Sequence, residues 1–162
     1  MTAYPDIFPD PQSTPSDPAG EPRISYVVAR LERSIRRAIN ERVSIYDLTV
    51  LQYTTLSVLG RRAELSNAQL ARRAYMSPQA MSEVIEALES KGLIKRSQHP
   101  NHRRVYPATL TARGKHVLAA CERLVDEMEA EMLTGLDAAE RRMLRGSLIH
   151  AVRVLHGGLP ET

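Results

Sequence analysis

Cysteine is nearly absent. Cys121 is the single one in 162 residues, which excludes an internal disulfide framework and suits a reducing compartment. No apolar run approaches the roughly 20 residues needed to cross a bilayer, and the first residues lack the basic-then-apolar order of a signal peptide. A cytoplasmic location with no membrane partner is therefore expected. The common enzyme signatures are missing too: no phosphate loop, no nucleophile elbow, no metal-ligating cluster and no carboxylate pair at a spacing that suggests a cleft. His99 and His102 stand three apart. Without Cys, Asp or Glu at ligand spacing beside them, neither a metal nor another cofactor is expected. An enzyme is not the expectation, and no internal repeat is present.

What the chain does have is enough length for one domain with a real core, 43% apolar residues and 25% charged ones. The net charge of +3 is mild, but its distribution is uneven. From Arg61 to Arg104, nine Arg and Lys stand against four Glu, so the rest of the chain is slightly acidic. A basic stripe on a near-neutral protein is the electrostatic footprint of a phosphate-binding surface.

The stretch from Ser66 to Thr111 explains that stripe. Ser66-Asn67-Ala68-Gln69 has the capping-box pattern of a helix start. After a short break at Tyr75-Met76, Ser77-Pro78 supplies a second N-cap with Pro at the first helical position, where its missing N–H costs nothing. Met81, Val84, Ile85 and Leu88 then follow at i, i+3, i+4, i+7, and Gly92 ends the helix. Gln79, Ala80, Ser82 and Glu83 make a thin polar face on its other side. Such a helix suits a DNA major groove. Beyond Gly92 the period changes: Leu93–Gln98 and Arg104–Leu110 read as short strands joined by the turn-rich His99-Pro100-Asn101-His102. Pro107 cannot donate to a ladder, so the second strand is expected at an edge or with a bulge. Arg103 and Arg104 fall near the tip.

Around this module lie more helices. Residues 1–22 hold six of the ten prolines and are expected to form a flexible arm. A helix begins near Ile24 with Val27, Leu31, Ile35 and Ile39 in one stripe. Ser44-Ile45-Tyr46-Asp47 breaks it, and Leu48 to Leu59 reads as a helix apolar nearly all round. Thr111 caps a helix to about Leu133, with Val117, Leu118, Cys121, Leu124, Val125 and Met128 on its buried side. Leu136-Asp137 opens the last helix, which carries Met143, Leu144, Leu148, Ile149, Val152 and Leu155 and stops at Gly157-Gly158. The expected fold is mainly α with a small β-hairpin wing: a winged helix-turn-helix over about 48–111, with helices over about 23–42 and 111–157 in a single 23–158 domain. The apolar stripes of the flanking helices exceed what a small winged helix covers, so burial against a second copy is expected. A symmetric dimer would present two recognition helices about one DNA turn apart.

Over roughly Ile24 to Leu155 the chain resembles the MarR (multiple antibiotic resistance regulator) family. The resemblance is carried by Leu70-Ala71-Arg72-Arg73-Ala74-Tyr75-Met76-Ser77, Leu88-Glu89-Ser90-Lys91-Gly92-Leu93-Ile94-Lys95-Arg96 and Leu110-Thr111-Ala112-Arg113-Gly114, in that order and spacing. It implies a homodimeric transcriptional regulator, often a repressor, that binds double-stranded DNA and is released by a small phenolic or aromatic ligand. On this reading Ser77, Pro78, Gln79, Ser82 and Glu83 face the major groove, with Ser66 capping the preceding helix at the DNA-binding surface. Arg104, with Arg103 beside it, enters the minor groove. His102 stands where the family commonly has an Asp, and Glu83 where many relatives carry a basic or neutral residue. By family position alone, Arg30, Tyr46, Tyr53 and His116 are candidates for the ligand site. Two other readings of the residues remain open: a low-specificity architectural DNA-binding protein, and a dimeric partner-binding module.

Overall fold

A computed structural model describes residues 20–62, 65–74, 76–97 and 107–157. The elements run α1 (Ile24–Val43), a 3-10 turn (Ser44–Tyr46), α2 (Val50–Arg61), α3 (Asn67–Arg73), α4 (Pro78–Ser90), β1 (Ile94–Arg96), β2 (Ala108–Leu110), α5 (Ala112–Met132) and α6 (Ala138–Val154). The chain falls into two compact units, one ending at Ala38 and the other beginning at Ile39.

Within the first unit, α1 carries an i,i+4 ion pair between Glu32 and Arg36. One turn apart, Arg30 Nη1 donates to Tyr26 Oη at 3.2 Å, with the guanidinium 5.9 Å from the ring centroid, within cation–π range. Ile24, Val27 and Val28 are exposed.

The second unit is built around α2. The sequence pattern made this helix apolar nearly all round, and from Val50 to Leu59 no residue is exposed. Thr49 caps it in a capping box with Gln52. The core joins Leu56 and Leu59 of α2 to Leu70 and Ala71 of α3, to Met81, Ile85 and Leu88 of α4, and to Leu118 and Cys121 of α5. Thr55 is the buried polar residue of this core; its hydroxyl donates back to Leu51 O at 2.9 Å, so the donor is satisfied.

β1 and β2 pair antiparallel, Ile94 opposite Leu110 and Arg96 opposite Ala108. An added bridge, Ala108 N–H to Leu65 O at 3.1 Å, occupies the other edge of β2. Leu93, Ser97 and Pro107, which the sequence pattern assigned to the strands, lie just outside them. Pro107 lies just before β2, where it needs to donate nothing and its carbonyl accepts from Ser97 N–H at 3.3 Å. Residues 98–106, which hold the expected hairpin tip, lie outside the described residues.

The junction of hairpin and α5 is unusually tight. Gly92, at φ +67°, takes the left-handed position that ends α4, and Leu93 N–H returns to Leu88 O at 3.0 Å. Thr111 N–H then donates to Leu93 O at 3.0 Å, while the Thr111 hydroxyl donates to Gly92 O at 2.7 Å and accepts from Gly114 N–H at 3.0 Å. A Cβ on Gly114 would lie 1.9 Å from Leu93 O. Only glycine lets the first turn of α5 sit flush on the chain leaving α4.

Candidate nucleic-acid interface

α3 and α4 form the helix-turn-helix. Ser66 Oγ accepts from Gln69 N–H at 3.3 Å, and Gln69 Oε1 accepts from Ser66 N–H at 2.8 Å; this is the reciprocal cap that the sequence pattern indicated. Ser77 Oγ accepts from Ala80 N–H at 3.2 Å, with Pro78 at the first helical position. Met81, Val84, Ile85 and Leu88 are all buried. Ser77, Pro78, Gln79, Glu83 and Glu86 are exposed, and Ser82 is half-buried. The buried stripe fixes which face of α4 turns outward, and that outward face is polar along its first two turns.

The sequence-expected DNA residues therefore occupy different situations. Ser66 and Ser77 spend their side-chain acceptors on capping, though a capping hydroxyl keeps its own donor for an outside partner. Gln79 and Glu83 project from α4, and Glu83 makes no ion pair among the described residues. Ser82 Oγ donates to Pro78 O at 3.1 Å and accepts from Asn67 Nδ2 at 2.8 Å. Arg103 and Arg104 lie outside the described residues.

Sequence reasoning passed over Asn67. It sits at the first position of α3, and its Nδ2 reaches across the turn to Pro78 O at 3.0 Å as well as to Ser82 Oγ. The available signal was chemical: Asn is a poor helix former, and at this position it gains nothing from the capping box that Ser66 and Gln69 complete.

Some of the module's positive charge is neutralised within the fold. Arg96 Nε donates to Glu89 Oε2 at 2.8 Å. The hydrogen bond from Arg96 holds the Glu89 carboxyl below the usual carboxylate range. Lys91, just past the end of α4, pairs with Asp47 at 3.0 Å and also meets the Asp47 carbonyl. Arg61, Arg72 and Lys95 remain exposed.

The expected ligand residues are divided between the two units, and those of the second unit line no common cleft among the described residues. Arg30 belongs to the first unit. Tyr46 lines a cleft of about 360 Å³ with Ile45, Leu93, Val117, Lys91 and Arg113. Tyr53 packs against the core, and burial first, then Glu122, pushes its phenol pKa upward. His116 is exposed on α5. Neither Tyr53 nor His116 lines that cleft or a second one of about 350 Å³ beside Gly60 and Thr109. Among the described residues there is no helix long and apolar enough to cross a membrane and no cluster able to hold a metal ion.

A helix-turn-helix with an outward polar α4, closed by an antiparallel pair, defines a winged-helix DNA-binding protein. The family model described as the MarR family matches residues 48–106. HTH-type transcriptional repressors of Mycobacterium tuberculosis and Mycobacterium bovis are each 32% identical over 130 residues, spanning 80% of this chain and 94% of theirs. The solved structure of a probable transcriptional regulator from Pseudomonas aeruginosa aligns with a TM-score of 0.71 at 26% identity, over 80% of this chain and 96% of that one. A mutant of E. coli MarR complexed with operator DNA aligns with a TM-score of 0.72 at 24% identity, over 80% and 93% of the two chains, and shares the fold. The chain belongs to the MarR family. It is accordingly a DNA-binding transcriptional regulator and not an enzyme.

Proposed function

We propose that the protein is a cytoplasmic, homodimeric repressor that binds a palindromic operator and is released by a small aromatic effector. The observation that carries this reading is the division of α4: four apolar residues fully committed to the core and Gln79 and Glu83 standing outward beyond the exposed Ser77-Pro78 start. Placed in a major groove, Gln79 pairs with adenine and Glu83 accepts from cytosine N4. Ser77 donates to a backbone phosphate, which fixes register rather than sequence. Arg103 and Arg104 enter the flanking minor groove, where narrow A·T-rich segments attract guanidinium groups.

A dimer is supported by α6, which buries no residue of its own and leaves Met143, Leu144, Leu148, Val154 and Leu155 exposed. An apolar stripe of that extent on a regulator marks an association surface. The same holds for the exposed Ile24, Val27 and Val28 at the start of α1. For the effector, the cleft beside Tyr46 offers apolar walls from Ile45, Leu93 and Val117, with Arg113 and the Lys91–Asp47 ion pair on its lining, a setting suited to a small aromatic ligand with a polar group. Such a ligand releases DNA only by preferring the DNA-incompetent conformation.

Selection from a random duplex pool tests the operator. Recovered sites should be inverted repeats with half-site centres about 10 base pairs apart or a multiple of that. A pool that enriches no motif, or only single half-sites, refutes the dimeric operator reading.

A further inference from the structure

We propose that Asn67 is a positioning residue that locks α4 to α3 for DNA binding, and that Ser82 belongs to this lock and does not read a base. The inference rests on the operator-binding reading above. Its basis is one closed set of hydrogen bonds across the turn. Asn67 Nδ2 donates to Pro78 O at 3.0 Å and to Ser82 Oγ at 2.8 Å. The Ser82 hydroxyl hydrogen goes to the same Pro78 carbonyl at 3.1 Å. A serine hydroxyl has one donor, and here it is used inside the protein, while one of its lone pairs is taken by the amide. Contact with a base edge through that donor would require Ser82 to abandon Pro78.

The amide's orientation follows from its neighbours. The Pro78 carbonyl can only accept, so reversing the group would set Oδ1 against it, whereas the Ser82 hydroxyl could serve either end of the amide. The observed orientation leaves Asn67 Oδ1 buried without a partner among the described residues. A buried orphan acceptor is a cost, and it is tolerated because the other end of the group makes two bonds to the first turn of α4. α3 is only seven residues long, so a polar tie at its first residue has strong leverage on the angle between the two helices. Apolar contacts beneath set their separation; the amide fixes how the start of α4 is turned.

The test is a double-mutant cycle, Asn67→Ala and Ser82→Ala, with operator affinity and the unfolding midpoint measured on the same preparations. Alanine is a better helix former than either residue, so stability should hold or rise while affinity falls. Each single variant should bind about tenfold more weakly, because a smaller fraction of molecules holds α4 in the binding orientation. The double variant should lose no more than the worse single one, as for residues acting as a unit. Across operators altered one base pair at a time, the loss should be uniform, and Ser82→Thr, which keeps the hydroxyl, should restore affinity. A Ser82→Ala protein that relaxes discrimination at one base pair, or an Asn67→Ala protein that binds as wild type does, overturns the proposal. Should wild type itself bind no operator, the operator reading fails separately. Hydrogen exchange of the free protein then decides the lock: faster exchange in the first turn of α4 in Asn67→Ala supports it, and unchanged exchange refutes it.

Discussion

Replacing Gly114 with alanine probes the joint on which the whole module turns. The added Cβ would lie 1.9 Å from Leu93 O and 2.9 Å from Leu93 C, and restoring ordinary contact at 3.4 Å requires a shift of about 1.5 Å. The obstacle is backbone, so no rotamer change relieves it. Separating α5 from the loop strains the Thr111 N–H bond to Leu93 O and the Thr111 hydroxyl bond to Gly92 O, now 3.0 and 2.7 Å. Overpacking of this kind costs about 1–3 kcal/mol, and each strained hydrogen bond about 1 kcal/mol more. Better helix propensity of alanine returns about 1 kcal/mol. The net loss is about 3 kcal/mol, which for a chain of this size lowers Tm by about 6–12 °C. Thermal unfolding followed by circular dichroism reads it directly. A Gly114→Ala protein melting within about 2 °C of wild type would mean that the close approach of α5 to Leu93 is wrong, and with it the placement of the hairpin base.

Other consequences follow from single residues. Cys121 is fully buried, and burial, aided by Glu122, raises its thiol pKa; the native protein should resist thiol reagents at neutral pH and react fully in denaturant, so rapid stoichiometric labelling of folded protein would contradict its place in the core. Glu89 has a folded pKa depressed by Arg96, so its stabilisation is present above the ordinary carboxylate value and lost as pH falls through the folded one. Glu89→Gln should therefore narrow the stability difference from wild type below about pH 4.3, and only modestly, because both partners are more than a third exposed or close to it. Leu148→Glu places a charge on the exposed stripe of α6; sedimentation should show half the wild-type mass with the helical signal retained, and an unchanged mass would remove α6 from the dimer surface.

Helix starts were legible because they rest on local chemistry. Ser66, Ser77 and Thr111 cap as the sequence pattern indicated, and the last helix opens at Asp137, whereas α2, expected from Leu48, is capped by Thr49. The i, i+3, i+4, i+7 stripe of α4 is buried residue for residue. Strand extents were not, since pairing of Ile94–Arg96 with Ala108–Leu110 is decided by contacts with α2, α4 and the Leu65 bridge, which no local pattern encodes. Nor was the role of Gly114, read only as part of a family motif, because its need arises from a carbonyl twenty-one residues away. Asn67 was hidden for the same reason: its partners lie across the turn, and next to a complete capping box it drew no attention. Tyr46, Tyr53 and His116, taken from family position, line no common cleft among the described residues, because position along a helix says little about which side chains share one.

Affinity for the intergenic DNA upstream of the protein's own gene, compared with random duplex of equal length near physiological salt, tests the central claim most directly. A sequence-specific regulator should prefer its operator by about a thousandfold or more, with affinity falling steeply as salt rises and a marked loss in Arg104→Ala. Equal affinity for the two duplexes, there and at every other promoter tried, would contradict it and mark a low-specificity DNA-binding protein instead.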